Sequence, residues 1–149
     1  MRRRIVGLLV MVSALFAVLP VTGAEAASAI QFRRIQYDSP GTDTGSNTSL
    51  NAEYFQLKNI GTRTVNLYGW YVRDAAGHTY RFGGTYYLRP GYVVTVHTGK
   101  GTNTSTHRYW GSGRYIWNNT GDKAYLRTGA GTLMDYCAWT SVGVGYKYC

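Results

Sequence analysis

The groups able to move a proton near neutral pH are few after the first residues of the chain. They are His78, His97 and His107, with Asp38, Asp43, Glu53, Asp74, Asp122 and Asp135. None of the histidines belongs to a Gly-x-Ser-x-Gly elbow or a His-Glu-x-x-His helix, the local patterns that activate a serine or hold a catalytic zinc. Asp74 and Asp122 sit among Gly, Ala and Asn, where an aspartate holds a turn through its own backbone. Asp38 and Asp43 share a loop with Ser39 and Thr42. That loop is open to two readings, a calcium site without EF-hand spacing or a loop tied by side-chain-to-backbone bonds. No catalytic residue, metal or cofactor is assigned.

Cations interleaved with rings are the more suggestive chemistry. Arg108-Tyr109-Trp110 and Arg114-Tyr115 alternate the two, and Lys100 lies nearby. Such pairs suit stacking on a planar ligand with the cation on a phosphate. The competing reading is that tyrosine lines the rim of a sandwich, where one end of the ring is apolar and the other wet. Tyr54, Tyr71, Tyr86 and Tyr87 join Tyr109, Trp110 and Tyr115 as the pool from which surface aromatics are drawn.

The first residues read as a leader. Arg2, Arg3 and Arg4 precede an apolar run from Ile5 to Leu19. Pro20 and Gly23 follow, then Ala24-Glu25-Ala26 and Ala27-Ser28-Ala29, both of the A-x-A type. This is the pattern of a secretory signal peptide over residues 1–26, with cleavage as late as 29. A retained membrane anchor is the rival reading, but the run is short for a span of about 20 residues. The expected mature domain is 27–149, with no further apolar stretch long enough to cross a bilayer. Losing three arginines and Glu25 takes the formal charge from +9 to +7. Such a charge favours anionic partners, or simply keeps a secreted protein soluble. Export also makes a disulfide between Cys137 and Cys149 the natural reading, since oxidation is permitted there. The alternative, a metal-binding or catalytic thiol pair, lacks neighbouring groups to complete it.

These residues must be positioned by strands. No 3.6-residue apolar period follows the leader. Short β-branched and aromatic runs are separated by Gly, Asn, Asp and Pro, which argues for an all-β domain. Strands are expected at 30–37, 53–59, 65–67, 69–73, 92–98 and 132–139. The two sides of a hairpin at Asp74–His78, and a strand from Lys123, complete the set. The apolar phase slips between Phe32 and Ile35, as a bulge would cause. Residues 38–49 and 99–105 read as polar loops, and 140–148 as an irregular tail. In the last strand, Leu133, Cys137 and Trp139 share one phase. Seven or more short strands with regular turns suggest two stacked antiparallel sheets.

The run Trp117-Asn118-Asn119-Thr120-Gly121-Asp122-Lys123-Ala124-Tyr125-Leu126 resembles the lamin tail domain family, whose members are immunoglobulin-like β-sandwiches. Glu53 to Gly61 is similar to that family's strand with a trailing Asn-x-Gly, and Leu67 to Asp74 to its Gly-Trp strand. Leu88-Arg89-Pro90-Gly91, Val96-His97-Thr98-Gly99 and Trp110-Gly111 follow in the same order. The resemblance implies an all-β, immunoglobulin-like sandwich and a role in binding. Trp70, Trp117, Asn118, Gly121 and Asp122 then carry scaffold roles. Trp70 is expected to fill the centre of the sandwich, and Asp122 to accept backbone N–H groups of its own turn.

The functional expectation is a secreted, non-enzymatic module at or outside the cell envelope. It would attach to an anionic polymer, extracellular DNA or a wall polymer, through Lys100, Arg108, Tyr109, Trp110, Arg114 and Tyr115. A protein–protein adhesion module using a sheet face is the first alternative. A small hydrolase using His97 or His107 is the second. Oligomeric state is left open.

Overall fold

The computed structural model describes residues 28–140 and 144–149. The leader expected at 1–26 lies outside the described residues.

Eleven strands and one short helix follow in order. They are β1 (Ile30–Gln36), α1 (Asn47–Ala52), β2 (Tyr54–Asn59), β3 (Val65–Asn66), β4 (Tyr71–Arg73) and β5 (Thr79–Arg81). Then come β6 (Tyr87–Leu88), β7 (Val93–His97), β8 (His107–Tyr109), β9 (Gly121–Arg127), β10 (Leu133–Thr140) and β11 (Tyr146–Tyr148). One sheet has the order β11-β1-β2-β7-β8, the other β10-β9-β4-β5, and β3 pairs β6 in a small ribbon. All pairings are antiparallel except β7 with β8. The fold is thus an all-β, immunoglobulin-like sandwich.

Side-chain alternation builds the core. In β2, Phe55, Leu57 and Asn59 turn inward while Tyr54, Gln56 and Lys58 turn outward. In β9, Asp122, Ala124 and Leu126 are buried while Lys123 is exposed, the period of two that a pleated strand imposes. The phase slip read in β1 is a register shift between Phe32 and Arg34. Phe55 is the hub of the core. Its ring meets Phe32, Tyr80, Trp110 and Trp117 edge-on at centroid distances of 6.1, 5.9, 6.4 and 6.2 Å. These are the T-shaped contacts that aromatic quadrupoles favour.

Several expectations are corrected. Trp70 does not fill the centre. It precedes β4, is half-buried, and packs on the rim of the cluster that Phe55 and Trp117 occupy. Its backbone turns back onto Leu67 and Phe82, so the strand begins one residue too late to carry it inward. Residues 47–52 are a helical turn rather than loop, capped by the Ser46 hydroxyl accepting from Ser49 N–H, with Leu50 buried. The tail contains β11, which pairs with β1. In β10 a bulge between Leu133 and Asp135 breaks the expected phase. Cys137 and Trp139 are therefore buried and Leu133 is exposed.

Two motifs of the sequence have plain structural causes. Asn59 is fully buried, and its amide donates to the Arg63 and Leu88 carbonyls at 2.8 Å while accepting from Gly61 N–H at 2.9 Å. Gly61 is needed two residues on because a Cβ there would stand 2.7 Å from that of Ala29. Asp122 accepts from Asn118 and Lys123 N–H within its turn and from Ala75 N–H in the β4–β5 hairpin. One carboxylate thereby ties two turns together.

The two ends of the sandwich differ. At the β10/β11 end, Cys137 is bonded to Cys149, with Cα atoms 5.7 Å apart, and Asp135 accepts Phe32 N–H across the sheets at 2.8 Å. This is the disulfide expected from the sequence. At the β5/β8 end no such link closes the sheets, and a groove opens.

Candidate functional site

The groove is a shallow cleft of about 410 Å³ between the edge strands of the two sheets. Arg81, Asn103, Arg108, Tyr109 and Trp110 line it. Arg81 comes from β5, where alternation turns Tyr80 into the core and Arg81 outward. Its guanidinium donates to the Gly69 carbonyl at 2.6 Å and lies 4.7 Å from the centroid of the Tyr71 ring. Arg108 comes from β8, opposite Val96 of β7. Its guanidinium lies 4.3 Å from the centroid of Tyr86, and its buried Nε has no hydrogen-bond partner. Tyr86 in turn donates to the Ser105 carbonyl at 2.7 Å. Burial pushes the Tyr80 hydroxyl up to about 12 and raises that of Tyr86, while the Arg108 charge pulls both back. Both stay neutral donors, and the cation stays beside them.

The six residues singled out in the sequence do not form one site. Arg108, Tyr109 and Trp110 do meet in the groove, but differently from a row of stacking rings. Trp110 packs its ring on Phe55, Tyr80 and Trp117, so most of it is core. Tyr109 stacks on His97 at 5.1 Å, and the backbone at Gly101 passes so close that a Cβ there would collide with the ring. Tyr86, counted among candidate surface rings, is buried. The other three lie elsewhere. Lys100 is exposed, but its backbone is clamped to α1 by Asn47 and Asn51. The Tyr115 hydroxyl bonds Ser49 Oγ at 2.6 Å and accepts from Gly45 N–H. Arg114 is exposed on a turn closed by Ser112. Arg81 was not singled out from sequence. Its signal was the alternation Thr79-Tyr80-Arg81 after a hairpin, which places one cation on a sheet edge.

The carboxylates are used inside the fold. Glu53 is fully buried, and accepts from Thr98 Oγ1 at 2.6 Å, Ile116 N–H at 2.8 Å and Trp117 N–H at 3.3 Å. Burial nevertheless pushes it up to about 7. Asp74 is buried and accepts from its neighbour His78, both at the backbone and through Nδ1 at 2.6 Å. That contact is the sole one within ion-pairing distance among the described residues. No described lysine or arginine therefore has a carboxylate partner. His97 and His107 sit on the outer face of the five-stranded sheet, Nε2 to Nδ1 at 2.9 Å, with no carboxylate bonded to either. Among the described residues no three His, Cys, Asp or Glu side chains are grouped to hold a metal. No described helix is long and apolar enough to cross a membrane.

A disulfide-closed, immunoglobulin-like sandwich whose acidic groups brace turns and whose cations are left uncompensated has the build of an interaction module. The Lamin Tail Domain family profile matches residues 23–141, and the chain belongs to that family of immunoglobulin-like, non-catalytic domains. No curated protein sequence matches the chain.

Proposed function

We propose that this protein is a secreted binding module for an anionic polymer, extracellular DNA or a phosphate-bearing wall polymer, and that the β5/β8 groove seats the polymer backbone. The observation that carries this reading is the absence of any carboxylate partner for the lysines and arginines of the described residues. Glu53, Asp74 and Asp122 lie inside, against backbone amides, and the lysines and arginines of the described residues stay unpaired. Arg81, Asn103 and Arg108 all line the groove. A guanidinium already stacked on a tyrosine keeps its donors ordered, so less side-chain freedom is lost when a phosphate arrives. Export is supported by the leader pattern and by the disulfide.

The test is binding of fluorescent oligonucleotides and a polyphosphodiester to the mature domain across a salt series. Each phosphate contact releases counterions, so log K falls linearly with log salt. Arg81→Gln together with Arg108→Gln is expected to weaken binding at least tenfold and flatten the slope by about 1.4–1.8. Affinity independent of salt would falsify the reading.

A further inference from the structure

The outer face of the five-stranded sheet carries a second arrangement beside the groove, with Tyr109 between them. His97 ends β7 and His107 begins β8, and register sets His97 opposite Tyr109 and Thr95 opposite His107. The two imidazoles are therefore diagonal neighbours. They lie nearly parallel, with centroids 5.2 Å apart and planes 19° apart, and His97 Nε2 is 2.9 Å from His107 Nδ1. His97 Nδ1 is 2.7 Å from the Asn51 carbonyl. A carbonyl can only accept, so Nδ1 carries the hydrogen and Nε2 of neutral His97 presents its lone pair toward His107.

We propose that His97 and His107 form a chelating site for a divalent transition metal, with Cu²⁺ held most tightly. Three features support it. A ligating histidine characteristically donates its other ring N–H to a carbonyl or carboxylate, which fixes the ring and raises its basicity. Asn51 does this for His97. Next, two imidazole nitrogens each about 2.0–2.1 Å from one ion stand about 2.9 Å apart at a right angle and about 3.4 Å apart at a tetrahedral one. The observed 2.9 Å puts both nitrogens within the span of the cis positions of a tetragonal ion, the geometry of Cu²⁺ and Ni²⁺. The 5.2 Å between centroids sets the rings end to end, so the exposed His107 ring rotates for both nitrogens to converge on one ion while the strands stay in place. Finally, the His97 ring is held in place. Tyr109 stacks on it at 5.1 Å and Tyr54 meets it edge-on at 5.9 Å, while the His107 backbone N–H donates to Thr104 Oγ1 at 3.0 Å and its ring is exposed. Binding needs that rotation and a tautomer change, the His107 proton moving from Nδ1 to Nε2, with no net proton released. Water and exposed solvent donors complete the coordination.

The experiment uses untagged mature protein titrated with Cu²⁺, Ni²⁺ and Zn²⁺ alone, by calorimetry and electron paramagnetic resonance. One Cu²⁺ per chain is expected, with hyperfine splitting from two nitrogens, and weaker Ni²⁺ and Zn²⁺ binding in the order of the series. His107→Ala alters an exposed side chain and is expected to weaken Cu²⁺ binding at least tenfold with an unchanged melting temperature. His78→Ala, remote from the pair, should leave it unchanged. Equal Cu²⁺ affinity in wild type and His107→Ala would overturn the site. So would wild-type affinity no greater than that of His97→Gln/His107→Ala. Either result reduces the pair to a shared hydrogen bond, and neither bears on polymer binding.

Discussion

Glu53 makes the energetics of this fold testable. Two physical effects compete on its carboxyl group. Three donors, from Thr98, Ile116 and Trp117, favour the anion, whereas full burial with no cation beside it favours the acid. Burial wins, carrying the group from 4.5 to about 7. The folded state therefore holds a proton that the unfolded state has released between those two values. Stability from this group is fully present below about pH 4.5 and is lost as pH rises through about 7. At about 1.4 kcal/mol for each tenfold change in proton affinity, the loss is about 3 kcal/mol. Glu53→Gln imitates the neutral acid and cannot ionise. His97 works in the opposite direction, because burial lowers its proton affinity and its contribution is lost as pH falls below 6.5. The difference between wild type and Glu53→Gln removes that background. Urea unfolding from pH 4.5 to 8 should show the wild type losing about 3 kcal/mol relative to the variant as pH rises. Parallel profiles, or a wild-type gain with rising pH, would mean that the three donors outweigh burial and that the reasoning is wrong.

Other substitutions probe the frame that holds the groove. Cys137→Ser with Cys149→Ser opens a short loop and should cost about 3 kcal/mol in urea unfolding; a change under about 1 kcal/mol would show that Asp135 alone closes that end. Asn59→Ala strands the Gly61 N–H and the Arg63 and Leu88 carbonyls, and calorimetric melting should register about 2–4 kcal/mol of destabilisation. Phe55→Ala removes the hub of the aromatic core and should cost about 3–5 kcal/mol by denaturant titration.

Much of this fold was legible because strands announce themselves by alternation. Tyr54 to Asn59 and Lys123 to Arg127 read correctly, since one face is wholly apolar or structural and the other is wet, while β9 starts two residues earlier, at Gly121, than the turn chemistry suggested. The β1 bulge was visible as a slip in phase. The β10 bulge was not, because Leu133 and Met134 are both apolar and either could have pointed in. The helical turn at 47–52 was hidden by its composition, six residues with one buried leucine and a serine cap. Strand β11 was masked by flanking glycine, although Tyr146 and Tyr148 alternate around Lys147.

The candidate site was less legible for a simple geometric reason. Arg108 and Tyr109 are adjacent in a strand, so they must point to opposite faces. Reading them as one stacking unit ignored that period. Only an edge strand beside an open groove lets both reach the same cleft. The His97–His107 pair depends on the parallel pairing of β7 with β8, which no local pattern reports.

The central claim is that polyanions bind in the cleft between β5 and β8. Its most direct test is an amide chemical-shift map of the mature domain titrated with a short single-stranded oligonucleotide at low salt. The account predicts the largest shifts at residues 79–83, 103 and 108–110, reversed by added salt. Shifts centred on another face, or none at saturating oligonucleotide, would contradict it.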